Sequence, residues 1–303
     1  MPGGGMNGCV AGLDLGGSTL KAGLFDAAGR LLHQQTAATP AGSGPQAIVD
    51  TISTTIESLR RRPADSPVAA GAIQAVGVGS PGLIDNSGRV HGPAVNLLGW
   101  QGTSLSEMVT SRCGIACVAG NDVNFAALAE ARHRACDNLV FIALGTGIGG
   151  GIVSGGTLIS GNLGMAGEIG HVVVEPGGRG CGCGQRGCVE QYAGARAVTD
   201  ETALQSAARM LARAIGYLLS IVAPELVVIG GGSVERFPQL IELVNTALQS
   251  ESFGYIRERT LVQPSQLGYR AGMIGAAIAA REAIVTVKPA PPALPNTGST
   301  QAK

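Results

Sequence analysis

The feature that most constrains this chain is a pattern that occurs twice. Residues 10–15 form an apolar run that ends in Asp14-Leu15-Gly16-Gly17-Ser18-Thr19. A second run follows at 20–26, then a turn at 27–30 and a third strand at 31–36. Further on, residues 139–144 run into Gly145-Thr146-Gly147-Ile148-Gly149-Gly150-Gly151, then a strand at 152–153 and a turn at Ser154-Gly155-Gly156. Strand, glycine turn, strand is a meander. A Walker loop or a dinucleotide fingerprint needs a helix after the turn instead. The repetition predicts an internal duplication, with two α/β halves built alike.

The rest of the chain alternates in the same way. Residues 46–62 carry Ile48, Val49, Ile52, Ile56 and Leu59 at helical spacing, and Pro63, Pro67 and Gly71 break the run. A strand at 73–79 leads to Ser80-Pro81-Gly82, a helix is expected at 105–112, and a strand at 115–119. Gly120-Asn121-Asp122-Val123-Asn124 then opens a helix over 125–133, and Asn and Asp are good helix caps. A helix at 203–223, a strand at 226–229 entering Gly230-Gly231-Gly232, and helices at 237–249 and 274–285 complete the pattern. Strands alternating with helices mean an α/β architecture with buried central strands.

Composition excludes several partners. The formal net charge is +0 over 303 residues, which leaves no electrostatic footprint for nucleic acid. The densest basic run, Arg60-Arg61-Arg62, closes a predicted helix, where cations suit the dipole. The longest apolar run of the C-terminal half, 214–224, is too short to span a bilayer. No basic residue precedes the first apolar run, so no secretory signal is expected, and Met6 is an alternative start. A cytoplasmic protein is the expectation. Residues 288–303 are Pro-rich and polar and read as a disordered tail.

Three groups of residues carry chemistry. Of 7 cysteines, Cys181, Cys183 and Cys188 stand close together among glycines, with His171 upstream. Three thiolates and an imidazole make a closed tetrahedral site of the structural zinc type, and sulfur ligands argue against Mg²⁺ or Ca²⁺. The second group is the pair of glycine turns. Each alone is more often a hairpin turn than a ligand site. Together they suggest two backbone N–H cradles on a shared cleft, with Ser18, Thr19 and Thr146 as further donors and Asp14 as the holder of a hydrated Mg²⁺. Gly230-Gly231-Gly232 fits either a flat surface for an adenine ring or a tight strand–helix turn. The third group is Asn96, Asn121, Asp122, Glu168, His171 and Glu190. A neutral polyhydroxylated ligand is best read by such amides and carboxylates.

These motifs resemble the ROK family of bacterial sugar kinases and repressors. The resemblance rests on Glu168-Ile169-Gly170-His171, then Cys181-Gly182-Cys183-Gly184, Gly187-Cys188 and Glu190. Around it stand Asp14-Leu15-Gly16-Gly17, Gly79-Ser80-Pro81-Gly82, Asn96, Gly99-Trp100, Asn121-Asp122-Val123-Asn124 and the 144–151 run. It implies an actin-like ATPase (hexokinase, ribonuclease H-like) fold with two lobes around a cleft. One lobe would span 1–119, completed by the helix at 274–287, and the other 120–273, with the zinc loop. It implies a kinase that transfers phosphate from ATP to the 6-hydroxyl of a hexose, most simply glucose. Asp122 would be the base, with Asn96, Asn121, Glu168, His171 and Glu190 on the sugar. ATP would lie against Asp14, Gly16, Gly17, Ser18, Thr19, Lys21, Gly145, Thr146, Gly147, Gly149 and Gly230–Gly232. His171 would serve both zinc and sugar. The family also implies a homodimer. Its repressors carry an N-terminal helix-turn-helix, for which the strand beginning by Cys9 leaves no room.

Overall fold

Both meanders exist, and each starts a five-stranded sheet of the same design. The computed structural model describes residues 8–61, 73–92, 94 and 96–286. In the first half β1 (Cys9–Leu15), β2 (Thr19–Phe25) and β3 (Leu31–Ala38) form the antiparallel meander. After α1 (Pro45–Arg60), β4 (Ile73–Ser80) adds parallel to β1. After α2 (Leu105–Cys113), β5 (Ala116–Asn121) adds parallel to β4. The next helix is α3 (Asp122–His133).

The second half repeats this. β6 (Leu139–Leu144), β7 (Ile148–Ser154) and β8 (Thr157–Leu158) form the meander. Then come α4 (Glu190–Ala193), α5 (Glu201–Val222), β9 (Leu226–Gly230), α6 (Gly232–Arg236), α7 (Leu240–Glu251), α8 (Gly254–Arg257), β10 (Leu261–Pro264) and α9 (Ala271–Thr286). The sheet orders are β3-β2-β1-β4-β5 and β10-β9-β6-β7-β8, mirror-listed versions of one topology.

Local chemistry sets these boundaries. Pro45 at the first turn of α1 uses a position whose N–H has no helical partner. The Asp200 carboxylate accepts the Ala203 N–H at 2.9 Å and starts α5, and the left-handed Ala223 before Pro224 ends it. The apolar stripe Leu204, Leu211, Ile215 and Leu218 of α5 is buried against Ile142, Leu144 and Ile229 of the second sheet. The first core is built from Leu13, Leu15, Ile52, Ile56, Val76 and Trp100.

Several boundaries differ from the expected ones. The Asn121 carboxamide oxygen accepts the N–H groups of Val123 and Asn124, both at 3.0 Å, so α3 begins at Asp122 and not at 125. Gly149, Gly150 and Gly151 belong to β7 and not to the turn, which is only 145–147. A Cβ on Gly149 would stand 2.7 Å from Val123 Cγ2, and one on Gly151 2.6 Å from Ala127 Cβ, so these glycines admit α3 to the strand. The expected helix at 237–249 is α7, which runs from Leu240 to Glu251, and the short α6 before it and the strand β10 were not foreseen. The helix-breaking prolines 63 and 67 with Gly71, the alternative starts, and the tail lie outside the described residues.

The two halves exchange helices. α3, which follows the first sheet, packs on β6 and β7 of the second; α9, which follows the second sheet, packs on β1 and β4 of the first. The two helices also pack on each other. Among the described residues no helix is long and apolar enough to cross a membrane.

Candidate active site

The C-terminal end of β1, the N-termini of α3 and α9 and the middle of β6 meet in a cleft of about 210 Å³, lined among others by Asp14, Lys21, Asp122, Gly231, Tyr269 and Gly272. Asp14 and Lys21 are register partners across β1 and β2, and Lys21 Nζ lies 3.2 Å from Asp14 Oδ2. Lys21 also donates to the Tyr269 carbonyl at 3.3 Å and stands 5.5 Å from that ring's centroid. A Cβ on Gly272 would lie 3.0 Å from Asp14 Cγ, so the start of α9 abuts this carboxylate.

Asp122 is the first residue of α3, and its carboxylate accepts the Val123 N–H at 2.9 Å. Burial pushes its pKa up to about 6, and the Asp14 charge pushes in the same direction. The backbone N–H groups at the helix start and the Lys21 ammonium oppose the shift. The result is a carboxylate poised near neutrality in a cleft, as a proton acceptor requires.

The two glycine turns each touch a residue of the polar group. At the first turn, the Gly16 N–H bonds the Thr19 carbonyl at 2.9 Å, Thr39 Oγ1 donates to the Gly16 carbonyl at 2.8 Å, and Ser18 and Thr19 are exposed. A Cβ on Gly17 would stand 2.7 Å from Asn96 Cβ, so exposed Asn96 sits directly on this turn. At the second turn, Glu190 Oε2 accepts the Ile148 N–H at 3.0 Å, and a Cβ on Gly147 would lie 2.5 Å from that oxygen. Ala195 N–H closes on the Gly145 carbonyl at 2.9 Å, and Thr146 is exposed at the tip. Gly149 is set back inside β7.

Glu190 heads α4, which follows directly on the cysteine loop. Glu168 precedes the short turn Ile169–His171, and Glu168 Oε2 lies 3.8 Å from His171 Nε2. Burial and the nearby Glu190 charge raise the Glu168 pKa against the pull of His171. Glu168, His171 and Glu190 are therefore one cluster. This cluster reaches α3 through β7: Gly150 of β7 lies against Ile169 and the Gly167 carbonyl, and its neighbour Gly149 lies against Val123, next to Asp122. Asn121 stands at the same helix start but spends its amide on capping α3 and, through Nδ2, on the Gly82 carbonyl at 3.2 Å.

The other ring nitrogen of His171 faces sulfur. His171 Nδ1 is 3.7 Å from Cys181 Sγ, and Cys183 Sγ is 3.6 Å from Cys188 Sγ. Ligand atoms from His171, Cys181, Cys183 and Cys188 all lie within 4.8 Å of one another. A tetrahedral ion with bonds of about 2.3 Å to sulfur holds its sulfurs about 3.8 Å apart, so the spacing fits zinc. The charge also fits. Burial and the neighbouring thiols push Cys188 up to about 12, a cost that a bound dication removes by taking the thiolates directly. Gln191 Nε2 donates to Cys181 Sγ at 3.5 Å, the kind of support that orients a ligand.

Of the glycine triplet, Gly231 lines the cleft, Gly232 starts α6 and Gly230 is buried in β9 against Phe141. Sequence reasoning missed three participants. Tyr269 walls the cleft with its hydroxyl on Glu235, and neither residue belongs to a motif. Glu130 is fully buried on α3, paired with Arg134 at 2.9 Å, and accepts Ser265 Oγ at 2.6 Å and the N–H groups of Gln266 and Leu267 at 3.0 Å. A buried carboxylate with these partners fixes the loop that carries Tyr269; only its helix position next to Arg134 hinted at a pair.

Comparison with known proteins points one way. The family model described as "ROK family" matches residues 10–202 and 197–283. The glucokinase of Streptomyces coelicolor is 32% identical over 325 aligned positions, covering 91% of this chain and 98% of that protein. The N-acetylmannosamine kinase of Escherichia coli O1:K1 / APEC is 33% identical over 302, covering 90% and 98%. The solved structure of a ROK family glucokinase from Streptomyces griseus, in complex with glucose and AMPPNP, superposes with a TM-score of 0.74 at 30% identity, covering 91% of this chain and all (100%) of that one.

Proposed function

Because the chain belongs to the ROK family and has its actin-like ATPase fold, we propose that it is an ATP-dependent sugar kinase that phosphorylates the 6-hydroxyl of a hexose, with glucose as the preferred acceptor. The observation that carries this reading is Asp122: a carboxylate held near pKa 6 at a helix start, with the Asp14–Lys21 pair on one side and the loop of Glu168 and His171 on the other.

In this reading Asn96, Asn121, Glu168, His171 and Glu190 hold the sugar by paired hydrogen bonds. Asp122 takes the proton from the 6-hydroxyl as the oxygen attacks the γ-phosphoryl group, and the N–H groups of the two glycine turns hold the phosphates. Lys21 offsets charge on the Asp14 side of the cleft. Phosphoryl transfer needs mainly positioning and charge stabilisation, so one base and two cradles suffice. The Mg²⁺ that accompanies ATP would be held through water at Asp14 and would neutralise charge on the transferred group. Zinc on His171, Cys181, Cys183 and Cys188 would act at a distance from the chemistry by fixing the imidazole and the start of α4.

The lobes are taken as 1–119 with the C-terminal helix and 120–273, closing on the cleft to exclude water. A homodimer is part of the proposal. Exposed Tyr217 and Ile221 at the end of α5 and Phe253 and Tyr255 at α8 supply an apolar face for it, and a sizing column tests it. The neutral net charge supports small-molecule partners and a cytoplasmic setting rather than nucleic acid or membrane.

A second reading differs only in the acceptor. The N-acetylmannosamine kinase is as similar as the glucokinase, so the pocket would then admit an acetamido group at carbon 2. Coupled ADP release over glucose, mannose, fructose, allose, N-acetylglucosamine and N-acetylmannosamine decides between them. A kcat/KM for glucose at least tenfold above the others supports the first reading. A preference for an acetamido sugar replaces it, and no turnover with any of the six ends both.

A further inference from the structure

A second cavity lies beside the C-terminal end of α3, along one side of α9. It encloses about 580 Å³ between the end of β2, the last turns of α3 and one side of α9, a size typical of small-molecule sites. Its floor is apolar, with Phe25, Ala129, Ile274, Ala277 and Ile278. Its rim is basic, with Arg132, His133, Arg270 and Arg281 against a single acid, Glu282. Arg132 takes Glu282 at 2.7 Å, and among the described residues Arg281 donates to a neutral acceptor, the Asp26 carbonyl. Positive charge therefore remains over an apolar floor, in a chain with only 14% charged residues.

The cavity and the cleft share a wall. Along the stretch from the loop after β10 into the start of α9, Leu267 and Arg270 line this cavity, while Gly268, Tyr269, Ala271 and Gly272 line the cleft. The buried Glu130 carboxylate pins the start of the segment, so a displacement at Arg270 is not absorbed upstream. Tyr269 in turn accepts Lys21 through its carbonyl.

We infer that this cavity is a second ligand site for an amphipathic anion, a small molecule with an aromatic or branched hydrocarbon body and one carboxylate or sulfonate, and that its occupancy changes nucleotide affinity through the 267–272 segment. The floor buries the hydrocarbon, and the guanidinium groups pair with the anion in a bidentate geometry that an ammonium does not offer. The second half of this inference rests on the cleft binding ATP; the first half does not.

The test uses the full chain and the probe 8-anilinonaphthalene-1-sulfonate. Fluorescence titration should show one saturable site that Ile278→Trp, which fills the floor, abolishes. Arg270→Ala should weaken it roughly tenfold, the scale of one charge-assisted hydrogen bond. Arg270 is exposed, so that variant keeps the test decisive should Ile278→Trp not fold. Calorimetry of ATP binding with the probe saturating should show at least a threefold change in Kd, matched by the same factor in the probe's Kd with ATP bound. Dye binding unchanged in Arg270→Ala, or complete competitive displacement by ATP, overturns the site. A bound probe that leaves the ATP Kd unmoved overturns the coupling. A chain that binds the probe as described but no ATP leaves the site standing and refutes the kinase reading instead.

Discussion

The two sheets are the same object decorated differently. In both, a meander is extended by two parallel strands, and the last strand leads into a helix that packs on the other half. The positions next to the two hairpin turns correspond: Leu15 pairs Leu20 as Leu144 pairs Ile148, and one step back Asp14 pairs Lys21 where Ala143 pairs Gly149. The first half places a charged pair there. The second half places none, and its added weight is the segment between β8 and α5, which holds the cysteine loop, Glu168, His171 and Glu190. In the proposed function, the first half handles charge and the second recognises the carbohydrate.

That division of labour can be broken from the charged side most severely. Asp122→Asn should lower kcat by about 10²–10⁴-fold, the scale of a general base, while sugar still quenches or enhances the fluorescence of Trp100, the only tryptophan. The same substitution should stabilise the fold at pH 7.5. The native pKa is raised, so folding favours the protonated form, and stability from this residue falls as pH rises from about 4 through about 6. A melting temperature for Asp122→Asn higher by roughly 2–6 °C at pH 7.5, fading near pH 4, checks the sign.

The carbohydrate side should respond differently. Cys183→Ser should lose bound zinc, measured by metal analysis, and raise the sugar KM by about 10–100-fold with a smaller effect on ATP KM. If the two constants move together, the cysteine loop serves the whole fold and not one half. Gly147→Ala sits where the halves of the chemistry meet. Its Cβ would lie 2.5 Å from Glu190 Oε2, so displacing that carboxylate should raise both KM values, by roughly threefold to tenfold. The smallest readout is a pH shift: apart from the loss of turnover that its Mg²⁺ role entails, Asp14→Asn should move the acid limb of the pH profile of kcat/KM. Removing the Asp14 charge lowers the Asp122 pKa, so the limb moves to lower pH; a shift upward would mean that Asp14 does not face Asp122.

The duplicated frame was legible because it is written in local chemistry: apolar runs of strand length, glycines between them, and asparagine or aspartate at helix starts. The cluster of His171 with three cysteines was legible for the same reason, since three cysteines within one loop leave few arrangements. What stayed hidden depends on contacts between distant segments. Gly149–Gly151 read as a loop, yet they form strand because α3 and residues 167–169 press on them. β10 is four residues of ordinary composition, made a strand only by pairing with β9. Tyr269 and Glu130 lie in no motif, and their roles come from Lys21, from Glu235 and from a loop more than a hundred residues away. Asn121 shows the reverse case, where the ordinary capping role is realised in full beside any role toward a ligand.

The exchange of α3 and α9 has a mechanical side. A side chain on Gly275 would run into the backbone of Phe125, and one on Gly77 into the backbone of Ala276. Main chain therefore rests on main chain where the helices cross and where α9 meets the first sheet. Such a bearing has no long side chains to repack as it turns, so a rocking motion about it deforms little else. Even a single methyl group at Gly275 would act as a shim, wedging the two helices apart where they cross.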